Sequence, residues 1–135
     1  MADIIWDGTN VIDLYVMGTG QSSDEKEGIT LSANGDVMYA TWYDSGDTTT
    51  SGIAFYAEQS GGFTFTAPTG KAFTKIEMKA LGSNGWATEN LGSEWAYDTG
   101  TVTWTGSAAS TVDLLTDTDY FEGDYISYIA FYLSE

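Results

Sequence analysis

Hydrophobic and polar residues alternate with a period of two along most of this chain, in short runs separated by clusters of Gly, Ser, Asn and Asp. This alternation is typical of half-buried β-strands, and no segment has the apolar stripe of an amphipathic helix. The pattern predicts one all-β domain over residues 1–135, an antiparallel β-sandwich. We expect a jelly-roll-like topology because the strands are many, with an Ig-like topology as the alternative.

The same alternation predicts which side chains face the core. In the run 11–17, Leu14 and Val16 point inward and Tyr15 outward. In 73–80 we expect an inward face, which consists of Thr74, Ile76, Met78 and Ala80. The run 37–44 carries aromatic residues on both faces, so one aromatic set is exposed whichever face is buried.

Turn signals and irregular stretches complete this prediction. Asn34-Gly35 is typical of a β-hairpin turn, because both residues tolerate positive φ. Residues 18–28 form a polar acidic stretch, and 81–100 is the longest stretch without clear alternation. We expect both to be loops.

The net charge is strongly negative. The formal charge of −16 comes from 20 acidic residues against four lysines. Such a field repels phosphate backbones and anionic lipid headgroups, so we expect no nucleic-acid partner. No stretch reaches the length of a membrane span, so we expect no membrane insertion.

The composition also limits catalysis, since the chain has no His, Cys or Arg. Catalytic triads, thiol nucleophiles and His-bound zinc sites cannot be built, and we expect the chain not to be an enzyme. The alternative is a small glycoside hydrolase, which needs only two carboxylates flanking a cleft. Glu89 and Glu94 are the candidate pair.

Five tryptophans and nine tyrosines predict binding by aromatic stacking. Trp and Tyr rings stack on the faces of sugar rings, and nearby amides and carboxylates bind sugar hydroxyls. We expect Trp104 to be buried, and a polysaccharide or other glycan to bind at a set of residues on one strand end and in the irregular stretch: Trp42, Tyr43, Trp86, Asn90, Trp95 and Tyr97. The alternative is a structural spacer or virion decoration domain in which the aromatics form the core.

Four carboxylates crowd into 117–124, namely Asp117, Asp119, Glu122 and Asp124. Hard oxygen ligands at this density suit Ca²⁺, although the spacing does not match an EF-hand. The sequence therefore offers a candidate calcium site, with an acidic solvated turn as the alternative.

The strand-and-turn texture of 63–78, which begins Phe63-Thr64-Phe65-Thr66, together with 103–108 and 126–133, resembles modules of large secreted or cell-surface proteins of gut Gram-positive bacteria. The resemblance implies an extracellular β-sandwich, similar to carbohydrate-binding modules or Ig-like adhesin domains. Residues 1–20 lack the pattern of a signal peptide. Either the chain is intracellular as it stands, or a signal peptide and flanking domains lie outside it. The resemblance favours the second alternative, so we expect an extracellular or cell-surface location as part of a larger multidomain protein.

Overall fold

The computed structural model describes residues 1–10, 12–17, 19–35, 37–47, 50–58, 61–82, 84–86, 91–92, 94–116 and 120–134, with only the backbone of 17 and 19–21. These residues form fourteen strands: β1 (Ile4–Trp6), β2 (Asp13–Met17), β3 (Thr19–Gln21), β4 (Ser23–Lys26), β5 (Ile29–Ala33), β6 (Val37–Tyr43), β7 (Gly52–Ala57), β8 (Phe63–Thr66), β9 (Ala72–Ala80), β10 (Trp95–Asp98), β11 (Thr101–Trp104), β12 (Thr111–Leu114), β13 (Phe121–Glu122) and β14 (Ile126–Ser134).

Two antiparallel sheets pack together, which confirms the predicted all-β sandwich. The large sheet has ten strands, in the order β10-β11-β9-β14-β7-β6-β2-β3, with β1 paired to β14 and β13 paired to β7. The small sheet has the order β12-β8-β5-β4. One cluster of buried residues draws on both sheets, so the two sheets pack face to face around a shared core.

The predicted parity of the strands is largely confirmed. Leu14 and Val16 are buried while Tyr15 is exposed, and the ambiguous run in β6 buries Met38 and Ala40. Burial of Trp104 is also confirmed. Period-two alternation therefore identifies the core face of β2, whereas in β6 only the folded structure decides between the two faces.

The predicted core residue Thr74 in β9 is wrong by one position. Phe73 is fully buried, whereas Thr74 is exposed and its hydroxyl donates to the carbonyl of Tyr132 at 3.1 Å. The register against β14 shifts there, since Lys75 pairs with Tyr132 and Phe73 pairs with Leu133. An irregularity of this kind reverses the parity of the residues beyond it.

Asn34-Gly35 joins strands of different sheets, so the predicted hairpin is wrong. β5 pairs with β4 and β8, while β6 pairs with β2 and β7. The Asn34 side chain instead reaches the turn before β8, where Nδ2 donates to the carbonyl of Gly61 at 3.1 Å and to the Thr64 hydroxyl at 3.0 Å. Turn-prone residues suit a sheet crossing as well as a hairpin.

The two stretches expected to be loops contain strands. β3 and β4 lie in 18–28, and β10 lies in 81–100. β4 is an edge strand of the small sheet whose sequence is Ser-Asp-Glu-Lys. Charged edge strands carry little hydrophobic alternation, because charges there discourage pairing with another chain. No helix in the described ranges is long and apolar enough to cross a membrane.

Candidate functional site

Trp86, which was expected at the surface, lies in the core. The exposed fraction of its side chain is 0 %. The indole packs edge-on against Phe55 and Phe121, with ring centroids 5.7 and 4.8 Å away. Its Nε1 donates to the carbonyl of Asp124 at 2.6 Å. The prediction of an exposed ring is wrong, because an irregular segment can anchor itself in the core through an indole whose N–H finds a backbone acceptor.

Trp95 is buried for the same reason, with 4 % of its side chain exposed and its Nε1 donating to the carbonyl of Asp113 at 2.8 Å. Tyr97 follows two residues later on β10 and packs, half-buried, against the core. Asn90 lies outside the described residues, as does Glu89. The two tryptophans of the expected loop platform are therefore buried, and the accessible aromatic candidates are the half-buried Tyr97, Trp42 and Tyr43.

A groove of about 520 Å³ opens beside Trp42, and we call it the Trp42 groove. Three segments line it: residues 7–9, the turn between β6 and β7, and Ser127 on β14. A volume of this size lies within the usual range for small-ligand sites, about 300–1,000 Å³. The groove combines one aromatic ring with hydroxyls and carboxylates.

The position of Trp42 follows from the parity of β6. Met38 and Ala40 point inward and are fully buried, and Trp42 continues this face to the margin of the sandwich, where it is half-buried. Gly8 packs directly on the ring, since a Cβ there would lie 3.1 Å from Trp42 Cζ2. The indole is therefore held by the core and the 7–10 turn, and part of it stays open to solvent.

Ser51 organises the rim formed by the β6–β7 turn. It is 5 % exposed, and its hydroxyl lies 3.0 Å from the carbonyl of Asp47 and 3.2 Å from Asp44 Oδ1. The Ser45 amide donates to the Ser51 hydroxyl at 3.0 Å, and the Gly46 amide donates to Asp44 Oδ1 at 2.8 Å. These bonds set the rim in place before any ligand arrives, which lowers the entropy cost of binding.

The opposite rim is the turn of residues 7–10. Asp7 Oδ1 accepts hydrogen bonds from the Thr9 amide at 2.9 Å and the Thr9 hydroxyl at 2.7 Å. Asn10 Oδ1 accepts from the Asp7 amide at 2.8 Å, and Asn10 Nδ2 donates to the carbonyl of Ile5 at 2.9 Å. This rim therefore also presents a carboxylate and a hydroxyl at fixed positions.

Tyr43 does not belong to the Trp42 groove, although it is the next residue. Successive side chains on a strand point to opposite faces, and Tyr43 is 49 % exposed on the outer face of the large sheet. Its ring lies 5.1 Å from that of Tyr125. The structure thus separates two aromatic residues that the sequence placed in one candidate site.

Four tyrosines form a second feature on the outer face, which we call the tyrosine row: Tyr15, Tyr39, Tyr56 and Tyr120. The first three are direct neighbours in register across β2, β6 and β7. Tyr15 and Tyr39 stack at 5.8 Å with 21° between planes, and Tyr39 and Tyr56 at 5.0 Å with 11°. Tyr120 meets Tyr56 edge-on at 5.8 Å.

Acidic side chains accompany the row and perturb its phenols. A hydrogen bond to Glu58 is the main cause that raises the pKa of Tyr56 to about 12. The Tyr120 hydroxyl donates to Glu122 Oε1 at 3.1 Å, and this bond is the main cause that raises the pKa of Tyr120. Burial raises the pKa of Tyr39, with a further contribution from the charge of Glu122. All three phenols are therefore protonated at neutral pH.

The candidate calcium ligands are only partly described, since Asp117 and Asp119 lie outside the described residues. Asp124 Oδ2 accepts the Asn84 amide at 2.8 Å, and Glu122 accepts Tyr120 as above. Within the described ranges, no group of three or more acidic side chains is placed to hold a metal ion. Calcium binding therefore stays a prediction that depends on Asp117 and Asp119.

Glu94, from the candidate hydrolytic pair, lines a smaller cleft of about 280 Å³ together with Asp113. Asp113 Oδ1 accepts a hydrogen bond from the Thr64 hydroxyl at 2.7 Å. The cleft thus carries two carboxylates, a pairing that the sequence did not indicate because Glu94 precedes β10 of the large sheet and Asp113 lies on β12 of the small sheet. Glycoside hydrolysis stays an untested alternative.

Several residues of the Trp42 groove have no local sequence signal. Asp7, Thr9 and Ser127 belong to segments that meet only after folding. Within the tyrosine row only Tyr15 has a clear signal, because the alternation in 11–17 predicts that it points outward, whereas the run that holds Tyr39 is ambiguous between its two faces. Strand order, which decides that these three are neighbours, comes from the fold.

Comparison with known proteins gave no match to a family model, a curated protein or a solved structure. The functional argument therefore proceeds from the geometry of the Trp42 groove and the tyrosine row.

Proposed function

We propose that this chain is a non-catalytic carbohydrate-binding or adhesion module that holds a glycan in the Trp42 groove. The observation that carries the proposal is the half-buried indole of Trp42 between two polar rims. Aromatic faces stack on the C–H faces of sugar rings, and groups such as Asp7, Asp44 and Thr9 suit sugar hydroxyls. A pre-formed site of this kind fixes a sugar without covalent chemistry.

The charge of the groove favours a neutral glycan. Asp7, Asp44 and Asp47 line it, and none of its described lining residues is basic. An anionic sugar would meet like charge at the rim and the −16 field of the whole chain. Stacking and neutral hydrogen bonds should give weak affinity, roughly micromolar to millimolar, with little dependence on salt.

The resemblance of the C-terminal half to surface modules of gut bacteria supports a place in a secreted or cell-surface protein. A β-sandwich with a glycan groove at one margin fits such a setting, because the module can bind while tethered to other domains. On this proposal, the binding partner is a polysaccharide or glycan outside the cell.

A structural spacer is the second candidate, and the burial of the tryptophans favours it. Trp6, Trp86, Trp95 and Trp104 are all in the core, so most of the Trp content is explained by packing. A spacer needs no ligand at the Trp42 groove. Binding measurements therefore distinguish the two candidates.

The test is calorimetry of the wild type and Trp42→Ala against a panel of neutral polysaccharides. Loss of stacking should weaken binding by roughly tenfold or more, because stacked aromatic contacts contribute 0.5–1.5 kcal/mol beyond their buried area, about 1–3 kcal/mol in all. Tyr43→Ala is the matched control, since it removes the adjacent aromatic side chain on the opposite face and should leave affinity unchanged.

Trp42→Phe keeps a ring and covers the case in which Trp42→Ala fails to fold, with an expected loss of a few-fold. Trp86→Phe should leave binding unchanged, because Trp86 is buried away from the groove. If the wild type binds no neutral glycan, the spacer candidate replaces the proposal. Equal binding by folded Trp42→Ala would place the glycan elsewhere.

A further inference from the structure

The tyrosine row is a second surface, separate from the Trp42 groove and independent of the proposed function. It lies on the outer face of the large sheet, where Tyr15 is 49 % and Tyr120 is 56 % exposed. Tyr39 and Tyr56 between them are half-buried. Tyr is enriched at protein interfaces because it offers a large rigid surface with a polar end.

The ring geometry of the row is unsuited to stacking a sugar. Tyr39 is stacked between Tyr15 and Tyr56, so both of its faces are covered by neighbouring rings. The row therefore presents ring edges and hydroxyls to solvent. A polysaccharide platform instead needs ring faces that are open and lie side by side.

The charge around the row is acidic and has no basic counterpart. Glu122 pairs in register with Tyr56, and Glu58 accepts the hydrogen bond of the Tyr56 hydroxyl. Both glutamates are exposed. All four lysines of the chain lie elsewhere: Lys26 on β4 of the small sheet, Lys71 before β9, and Lys75 and Lys79 on β9.

This half of the outer face therefore has exposed aromatic edges and two carboxylates that no lysine of the chain neutralises. An external cation would gain two carboxylate partners here.

We propose that the tyrosine row is a docking surface for an extended, lysine- or arginine-bearing segment of a partner protein. The alkyl stems of Lys and Arg pack along aromatic edges while their charged ends reach carboxylates and phenol oxygens. Alternate side chains of an extended peptide lie about 7 Å apart, somewhat wider than the 5.0–5.8 Å spacing of adjacent ring centroids, so two or three of them fall over the four rings. Such a segment can therefore place several cations along the row.

The probe is a fluorescent peptide of about ten residues in which Lys and Thr alternate, so that all cations share one side when extended. Binding is measured by anisotropy at low and at physiological salt. We expect the wild type to bind it, with affinity that falls as salt rises. A peptide in which Gln replaces every Lys should not bind.

The test variant is the double substitution Glu58→Gln and Glu122→Gln, with an expected loss of roughly tenfold in affinity. Its matched control, Glu94→Gln with Asp98→Asn, removes the same charge from two exposed positions at and beside the opposite edge strand β10. Tyr39→Thr tests the rings at an outward strand position that Thr tolerates well. We expect the control to bind like the wild type and Tyr39→Thr to bind more weakly.

Amide chemical-shift changes in the labelled protein locate the peptide. Shifts confined to β2, β6, β7 and β13 support the proposal. Equal loss in both double variants would mean that the peptide senses only the overall charge, which overturns it. So would the absence of binding, or shifts in these strands with a neutral oligosaccharide and none with the peptide. A negative result here leaves the Trp42 groove unaffected, because the two sites share no described residue.

Discussion

At the scale of single residues, one amino-acid type serves distinct purposes in this protein. The Trp86 ring is fully buried and its Nε1 donates to a backbone carbonyl, whereas the Trp42 ring lines a groove. Tyr43 and Tyr39 lie on the outer face of the same strand that buries Met38. Residue type sets which interactions are available, and position on the strand decides which are used.

The hydrogen bond between Tyr56 and Glu58 makes a testable prediction about pH. It raises the pKa of Tyr56 from 10.0 to about 12 in the folded protein. Folding favours the protonated phenol, so the stability that this bond contributes is fully present below pH 10 and lost as pH rises through about 12. Spectrophotometric titration curves of the wild type and of Tyr56→Phe are compared, and their difference should isolate the ionisation of Tyr56.

Glu58→Gln should lower the pKa of Tyr56, because the charge that disfavours tyrosinate is removed while an amide acceptor remains. Tyr128 is the internal control, since burial and Glu77 raise its pKa without Glu58. An unchanged titration of Tyr56 in this variant would contradict the assigned cause.

At the scale of elements, close approach of strands decides where small residues are required. β7 and β14 come together at Gly52, where a Cβ would lie 2.6 Å from the carbonyl oxygen of Ile126 and 3.0 Å from Tyr125 Cβ. Gly52 is also the register partner of Tyr43. The glycine thus allows β7 to reach β14 beside the end of the Trp42 groove that holds Ser51 and Ser127.

Gly52→Ala should therefore destabilise the fold, because the added methyl group meets backbone atoms that cannot rotate away. We expect a decrease of about 1–3 kcal/mol in the free energy of unfolding, measured by urea denaturation. Gly46→Ala serves as the control: its site has a positive φ of 85° but open space for a Cβ. It should cost only about 1 kcal/mol. Equal stability of Gly52→Ala and wild type would contradict the packing argument.

At the scale of the whole molecule, the excess of negative charge opposes compactness. The chain has 20 acidic residues and only four lysines, so its carboxylates repel one another in the folded state. Among the described residues only two ion pairs form, Lys26 with Asp24 and Lys75 with Glu77. Both pairs are partly exposed, so each contributes little. Added salt should therefore raise stability by screening.

Calcium should stabilise the protein beyond this screening if the predicted site at Asp117, Asp119, Glu122 and Asp124 exists. Binding to the native state alone adds about 2.7 kcal/mol when the free ion is at 100 times its Kd. Thermal melts in CaCl₂ are compared with MgCl₂ and NaCl at matched ionic strength. Asp119→Ala should abolish the additional increase in Tm, and an equal shift with all three salts would exclude the site.

Much of the fold could be predicted from local pattern, and the errors have local causes. Alternation located the core face of β2 and most of that of β9, because burial of one face leaves a period of two. It missed β4, a charged edge strand with no apolar face. It also assigned Thr74 to the core instead of Phe73, at the point where the register against β14 changes. It also treated Asn34-Gly35 as a hairpin, because turn chemistry alone does not show which sheet the next strand joins.

The candidate site was less predictable than the fold. Trp42 was among the candidates and lines the groove, whereas Trp86 and Trp95, expected in the site because their segment is irregular and polar, are buried. Their burial depends on acceptors at Asp124 and Asp113, far along the chain. The sequence shows that a buried indole N–H needs an acceptor, but only the folded structure shows which backbone carbonyl accepts its hydrogen bond.

The sequence by itself determined the all-β class, the outward position of Tyr15, the acidic field and the exclusion of histidine and thiol chemistry, since each depends on local parity or on composition. The tertiary structure alone decided which aromatics stay accessible, which turns meet Trp42, and that Tyr15, Tyr39 and Tyr56 stack in one row. These features join residues distant in sequence. Strand order and sheet packing create such neighbours, and neither leaves a periodic signal in the chain.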